Sequence, residues 1–248
     1  MKKGYALLSG GKDSTLTAYE MHMEGRLAGC IYIDTSIGLA ETKDYVVKVC
    51  ARYGWKLYVT QGYRTYEQYV RKAGFPHYQQ HNMVMHVLKA DAIKRAISRI
   101  KQETGEIPLL FSGVRIRESR NRSKWVKARG KLFNAEVENP IANLSDGEVW
   151  RRIKEYDIPL NPSYETIGIS GDCLCGSFST LPEKQLLRLY YPYMAEEISR
   201  LESVAAGSSW KIRIWGNTLS SICNLEKNAT LDEMEICSEC AHHAEAMK

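Results

Sequence analysis

The first group of residues that could perform chemistry is the stretch SGGKDS at positions 9–14. It follows the apolar run YALL at 5–8 and precedes a helix-like segment at 14–23. Glycines allow a tight turn whose backbone N–H groups approach an anion, and the N-terminal end of a helix favours negative charge. Lys12 adds a positive charge, Ser14 can cap the helix, and Asp13 could hold a magnesium ion, a water molecule or a turn amide. The Walker spacing G-x-x-x-x-G-K-[ST] is absent, so the stretch predicts a phosphate site of another kind.

Two further polar segments follow apolar, strand-like runs. The run AGCIYID at 28–34 ends in Asp34 and is followed by Thr35, and PLLFSG at 108–113 ends in Gly113 and leads to Arg115. Additional strands are predicted at 4–9 and 55–60, and helices at 14–24, 41–53 and 83–104. This alternation predicts an α/β fold with a doubly wound parallel sheet, in which ligands bind outside the carboxyl ends of the strands. The three segments are therefore expected to converge on one crevice.

The remainder of the chain is less regular. Segment 63–80 is polar and aromatic without a clear period, and we interpret it as a lid or a partner surface. Helices are predicted at 145–156, with Ser145 and Asp146 as caps, and from 182 to about 205, followed by a short strand at 210–215. We predict two domains: a nucleotide-binding domain at 1–176, and a helical, Cys-containing C-terminal region at 177–248 that packs on it.

Composition limits the class of protein. The 248 residues are 44% apolar, which suits one large domain or an α/β domain with a smaller appendage. No apolar run reaches the length of a membrane span, and the N-terminus lacks the apolar core of a signal peptide. We therefore expect a cytoplasmic protein with no membrane partner. The formal net charge is +5, and basic side chains cluster between 115 and 131, which indicates a polyphosphate or phosphodiester surface or a solvated helix face.

The motifs, taken in order, resemble one family. SGGKDS at 9–14, IDT at 33–35, GVRxxES at 113–119 with Arg122, and NPxY at 161–164 look like the phosphoadenosine-phosphosulfate reductase branch of the PP-loop, or adenine nucleotide α-hydrolase-like, superfamily. The resemblance covers about residues 4–176 and implies that the turn binds the pyrophosphate of ATP. It places the residues after the second strand near the adenosine, and the arginines on phosphate or sulfonyl oxygens. The candidate nucleotide-binding residues are Ser9, Gly10, Gly11, Lys12, Asp13, Ser14, Asp34, Thr35, Gly113, Arg115 and Arg122.

The resemblance leaves the reaction open. Sulfonucleotide reductases of this branch typically lack the Lys-Asp pair of the loop, whereas this chain keeps it. We therefore favour cleavage of ATP with magnesium and transfer of AMP to an acceptor for sulfur transfer or thiolation, with Lys12, Asp13 and Arg115 as catalytic residues. The alternative is a reductase of phosphoadenosine or adenosine phosphosulfate in which Cys240, within the tail sequence ECAHH, is the nucleophile. A third hypothesis is a nucleotide-binding regulator without turnover.

Cysteines form a second constellation. Of the seven in the chain, Cys30 and Cys50 lie in apolar contexts typical of a core. Two close pairs follow later, and four thiolates suit zinc or an iron–sulfur cluster. The predicted metal ligands are Cys173, Cys175, Cys237 and Cys240. The resemblance favours a [4Fe-4S] cluster over zinc, Cys223 is a possible substitute ligand, and Cys240 remains either a ligand or a nucleophile.

The expected partners follow from these hypotheses. A nucleotide is the expected substrate, and the basic run at 115–131 would be the docking face for a nucleic acid that undergoes thiolation. A sulfur donor protein is the other candidate partner, and we expect a homo-oligomer.

Overall fold

The computed structural model describes residues 2–116, 127–179, 181–207 and 212–216, and its centre is a six-stranded sheet. The strands are β1 (Gly4–Leu7), β2 (Leu27–Asp34), β3 (Leu57–Gln61), β4 (Leu109–Phe111), β5 (Arg129–Leu132) and β6 (Ala135–Glu138). Their spatial order is β3-β2-β1-β4-β6-β5, and all neighbouring pairs are parallel except β5 with β6. The predicted α/β class with a parallel sheet is confirmed. The antiparallel hairpin β5–β6 was not predicted, because basic residues dominate its first strand.

Helices connect the strands and extend the chain beyond the sheet. They are α1 (Lys12–Met23), α2 (Ala40–Tyr53), α3 (Tyr66–Ala73), α4 (His81–Met85), α5 (Asp91–Thr104), α6 (Asp146–Glu155), α7 (Ser163–Ile167), α8 (Leu181–Tyr190) and α9 (Pro192–Ala205). A short 3₁₀ turn at Tyr78–Gln80 precedes α4, and a π-helical turn at His86–Ala90 joins α4 to α5. No helix within the described residues has the length and apolar character needed to cross a membrane.

Helices cover both faces of the sheet. On one face, Ala18 and Met21 of α1 and Val46 of α2 pack against β1, β2 and β4. On the other face, Ile93 and Ile97 of α5 pack against residues of β1, β2, β3 and β4. Because successive strand residues point to opposite faces, both faces of the central strands are buried, as a doubly wound sheet requires.

A third hydrophobic cluster corrects the interpretation of segment 63–80. Instead of a lid or partner surface, the central part of this segment forms α3, whose Tyr66, Tyr69 and Val70 are buried together with Phe75. The cluster also contains residues from α8, α9 and Trp215, so the described residues after 176 pack on the preceding ones. Tyr66, Tyr69 and Phe75 therefore face a core, whereas Tyr63 and Tyr78 of the same segment are exposed.

Several boundaries differ from those predicted. The helix expected at 83–104 begins at His81 and is interrupted by the π-helical turn. The helix expected at 182–205 is divided at Pro192, because proline supplies no backbone N–H to a continuing helix. Of the strand expected at 210–215, residues 212–215 are not in a strand, and 210–211 lie outside the described residues.

Candidate functional site

The turn between β1 and α1 is held in shape by its own serines. Gly10 has a φ of 84°, and a Cβ there would lie 2.9 Å from the Cγ2 atom of Thr42, so the position requires glycine. The hydroxyls of Ser9 and Ser14 lie 3.1 Å apart, and the Gly11 N–H donates to Ser9 Oγ at 3.3 Å. Helix α1 begins at Lys12, so Ser14 lies in its first turn and is not the N-cap, contrary to the sequence interpretation.

Backbone donors point out of this turn. The N-cap of α1 is Gly11, which has no capping side chain. The N–H groups of Gly10, Asp13 and Ser14 have no acceptor among the described residues. The first N–H groups of a helix carry partial positive charge and lack intrahelical partners. The turn therefore has the donors of an anion site.

Four charged side chains form an alternating network at the start of α1. Asp13 Oδ2 lies 3.1 Å from Lys12 Nζ, and its Oδ1 lies 2.5 Å from Arg115 Nε. Asp146 Oδ1 lies 3.2 Å from Lys12 Nζ and 2.9 Å from Arg115 Nη2. Lys12, Asp13 and Arg115 are almost completely buried, with exposed fractions of 7%, 1% and 2%, whereas the Asp146 side chain is 55% exposed. The structure thus brings together all three residues that the sequence predicted to be catalytic.

Asp146 is a member of this network that sequence reasoning did not identify. It was interpreted only as a helix cap, although the actual cap of α6 is Ser145, which forms a capping box with Glu148. Partial burial opposes ionisation of Asp146, but the charges of Lys12 and Arg115 outweigh it and lower the pKa of the carboxyl. The carboxylate is therefore ionised at neutral pH. No local motif marks the residue, since its role depends on the packing of α6 against α1.

The segment 161–164 fixes the turn from the other side. Asn161 Nδ2 lies within 3.3 Å of the Gly10 carbonyl oxygen and within 3.1 Å of Thr42 Oγ1. The Lys12 N–H donates to the hydroxyl of Tyr164 at 3.0 Å. Both residues belong to the NPxY motif, which the sequence alone did not assign to the site. Through these contacts, Asn161 fixes the position of α2 relative to the turn.

Gly113 allows β4 to approach α1 closely. A Cβ at this position would lie 2.8 Å from the backbone carbon of Asp13 and 2.8 Å from the backbone nitrogen of Ser14. Arg115 follows two residues later, and the next N–H, that of Ile116, donates to the Ala142 carbonyl at 2.8 Å. The close approach places the arginine beside Asp13.

Substitution of Gly113 tests this arrangement. We expect Gly113→Ala to lower the free energy of unfolding by about 1–3 kcal/mol, because the methyl group would meet backbone atoms that cannot rotate away. Denaturant titration measures the change. Gly147→Ala is the matched control, since nothing lies within 4 Å of its added Cβ and the change should not destabilise the protein. Equal stability of the Gly113 variant and the wild type would contradict the close packing.

The residues expected near an adenosine lie at the end of β2, which neighbours β1 in the sheet. Asp34 accepts hydrogen bonds from Lys43 Nζ at 3.0 Å and from the Ser36 N–H at 2.9 Å. The Thr35 hydroxyl is buried and donates to the Asp172 carbonyl at 2.7 Å. Thr35 therefore shapes the strand end, while the partly exposed Asp34 is the side chain that a ligand can reach.

Of the remaining candidate site residues, two lie within the described part of the chain and three lie outside it. Cys173 and Cys175 are buried in the cluster that contains Tyr66 and Trp215. Arg122, Cys237 and Cys240 lie outside the described residues. Within the described part of the chain, no group of three or more His, Cys, Asp or Glu side chains is placed to hold a metal ion. The four-thiolate site accordingly stays a prediction.

The chain is similar to a known protein family and to an uncharacterized protein. A family model described as "Phosphoadenosine phosphosulfate reductase domain" matches residues 5–175. An uncharacterized protein of Methanocaldococcus jannaschii is 27% identical over 168 residues, which are 66% of this chain and 39% of that protein. The chain thus corresponds to well under half of this relative's length.

Two solved structures are similar to part of the chain. The phosphoadenylyl-sulfate reductase of Candida auris in its phosphate complex is 20% identical, with a TM-score of 0.48 over 65% of this chain and 76% of that one. The FMN adenylyltransferase of Candida glabrata with FAD and inorganic pyrophosphate is 14% identical, with a TM-score of 0.46 over 66% of this chain and 52% of that one.

Proposed function

The chain belongs to the phosphoadenosine phosphosulfate reductase domain family, a family of nucleotide-utilising enzymes, and from this premise we propose that it is an ATP pyrophosphatase. In the proposed reaction, an oxygen of the acceptor attacks the α-phosphorus of ATP. The bond between that phosphorus and the bridging oxygen breaks, pyrophosphate leaves, and AMP is joined to the acceptor. The adenylated acceptor would then be activated for replacement of that oxygen by sulfur.

One observation carries the proposal: two buried cations stand beside the open N-terminus of α1. Lys12 and Arg115 both contact Asp13, and the N–H groups of Gly10, Asp13 and Ser14 lie in the same turn. Transfer of a phosphoryl group depends mainly on positioning and on neutralising negative charge, rather than on a protein nucleophile. The site can supply both positioning and positive charge. Ion pairs fix the two cationic side chains, and the start of α1 fixes the backbone N–H donors.

The residues suit ATP together with magnesium. The turn and its cations would hold the phosphates, and Asp34 would lie on the side of the adenosine. Magnesium is usually held by one or two carboxylates and by phosphate oxygens, and it would neutralise charge on the pyrophosphate. Asp13 is enclosed by two cations, so the more exposed Asp146 is the carboxylate of this site that has room for the ion.

The products of nucleotide cleavage test the proposal. Protein purified without oxygen would be incubated with magnesium and ATP labelled in the α-phosphate, with and without nucleic acid as acceptor. We expect AMP, free or joined to the acceptor, and pyrophosphate in equal amounts. Formation of ADP and phosphate would contradict cleavage between the α and β phosphates. Release of sulfite from phosphoadenosine phosphosulfate with a thiol reductant, without ATP cleavage, would favour the reductase instead.

We further propose that Cys173 and Cys175 contribute to a metal–thiolate centre with Cys237 and Cys240. Support comes from the neighbourhood of the first pair. Trp215 donates from Nε1 to the Leu174 carbonyl at 2.8 Å, and its ring fills the space beside Gly176. Trp215, which lies 22 residues before Cys237 in the sequence, therefore contacts the segment that carries Cys173 and Cys175.

Metal analysis checks this centre. An iron–sulfur cluster would give brown protein with about four irons and four sulfides per chain, whereas zinc would give colourless protein. We expect each single Cys→Ala change at the four positions to lower metal content and stability together, while Cys50→Ala, which lies in a different core cluster, should leave metal content unchanged. Anaerobic protein without metal, in which Cys240 alone reacts rapidly with an alkylating agent, would contradict the centre and favour Cys240 as a nucleophile.

The acceptor is proposed to be a nucleic acid. Its docking surface would include the exposed Lys127, Arg129 and Lys131 at the edge strand β5. Arg115 does not belong to this surface, because it is buried in the charge network. A sulfur donor protein and self-association of the chain are proposed as further interactions, and both can be measured by sedimentation with and without the acceptor.

A further inference from the structure

The position of Asp146 differs from that of every other charged group in the network. One oxygen of Asp146, its Oδ1, contacts both Arg115 Nη2 at 2.9 Å and Lys12 Nζ at 3.2 Å, whereas Asp13 contacts the two cations through different oxygens. Two cations separated by a single oxygen form the arrangement that a phosphate oxygen needs. A carboxylate of the chain therefore occupies a position suited to a phosphate group of the nucleotide.

Exposure shows which member of the network can leave. Lys12, Asp13 and Arg115 are sealed in the interior, while more than half of the Asp146 side chain is open to solvent. Because the Asp146 carboxylate is more than half exposed, it can return to solvent when an incoming polyanion replaces it. Removal of a sealed member would instead leave a buried charge without its partner.

The backbone of Asp146 is held firmly while its side chain is not enclosed. Helix α6 is fixed at its start by the capping box of Ser145 and Glu148, and it packs through Val149 and Ile153 against Leu16 of α1. Displacement of the carboxylate thus needs only rotation of one side chain. Because α6 is packed on α1, the displaced carboxylate would stay close to the phosphates.

We propose that Asp146 is the resident counter-ion of the phosphate site and makes anion binding depend on magnesium. Without a ligand, it is ion-paired with both Lys12 and Arg115, as Asp13 also is. A phosphate group without metal has to displace this carboxylate and then stand beside its negative charge. A phosphate group that carries magnesium meets a carboxylate able to coordinate the metal. Asp146 therefore determines specificity for magnesium-bound polyphosphate, an inference that rests on the proposed nucleotide site.

Binding measurements on the full chain test the inference. The dissociation constants of inorganic pyrophosphate and of ATP would be measured by calorimetry with magnesium and with a chelator, for wild type and Asp146→Asn. We expect Asp146→Asn to bind metal-free pyrophosphate at least about fivefold more tightly, because the competing charge is removed. The ratio of metal-free to magnesium dissociation constants should fall by at least about tenfold.

Two further variants make the result specific. Glu155→Gln removes an exposed carboxylate of the same helix, paired with Arg151, and should leave the magnesium ratio unchanged. Asp146→Glu keeps the charge and should keep the ratio within about twofold, which tests the inference even if Asp146→Asn does not fold. Weaker metal-free binding in Asp146→Asn, or a ratio equal to that of wild type, would overturn the inference.

The measurements with pyrophosphate distinguish a failure of this inference from a failure of the proposed function. If pyrophosphate shows the expected pattern but ATP is neither bound nor cleaved, Asp146 acts as described and the ATP pyrophosphatase proposal fails. If ATP is cleaved and Asp146→Asn leaves the magnesium ratio unchanged, the counter-ion role fails and the proposed function stands.

Discussion

Replacing Lys12 with methionine is expected to lower the rate of ATP-dependent pyrophosphate release by about 100-fold to 1,000-fold. Removal of one preorganised group that stabilises developing charge has an effect of this size in a water-excluded site. Lys12 meets this description, because its ammonium group is buried and held between Asp13 and Asp146. The methionine side chain preserves much of the volume and removes the charge. Single-turnover kinetics with labelled ATP provides the measurement.

The matched control for this substitution is Lys101→Met. Lys101 is an exposed residue of α5, away from the charge network, and its replacement should change the rate by less than about twofold. Lys12→Met protein that is folded, binds ATP normally and retains the wild-type rate would show that the ammonium group has no part in the reaction.

Replacing Arg115 with methionine is expected to lower the free energy of unfolding by about 3 kcal/mol. Asp13 is 1% exposed, and breaking a buried ion pair by removing one partner leaves a buried charge uncompensated. Lys12 stays beside Asp13 but is itself shared with Asp146, so it does not replace the lost guanidinium. Denaturant unfolding at neutral pH gives the change in stability.

A double-mutant cycle identifies the cause of this loss. We expect Asp13→Asn to recover a large part of the stability when it is combined with Arg115→Met, because the buried negative charge is then absent. Arg99→Met removes an exposed arginine paired with Glu103 and should change the stability by no more than about 1 kcal/mol. Additive effects of the two site substitutions would mean that Asp13 and Arg115 do not depend on each other.

Local features were readable from the sequence because they depend on neighbouring residues. The apolar run before residue 9, the glycines at 10 and 11 and the following helical segment predict a strand, a turn and a helix, and the structure contains them. The alternation of strands and helices indicates a parallel sheet, since parallel strands need crossover connections. The carboxyl ends of such strands share one edge, which explains why Lys12 and Arg115 could both be assigned to one crevice.

Long-range packing decided the rest. The sequence left open whether Asp13 would hold a magnesium ion, a water molecule or a turn amide. In the structure, the approach of β4 at Gly113 brings Arg115 against it as an ion-pair partner. Segment 63–80 was interpreted as a lid or a partner surface, because only contacts with distant residues, including those of α9, show that Tyr66 and Val70 face a core. Asp146 was interpreted only as a helix cap, and no sequence signal indicated its role in the site. Its place between two cations arises from the docking of α6 on α1, and contacts between residues so distant in the chain are specified by complementary surfaces and charges, not by any local pattern.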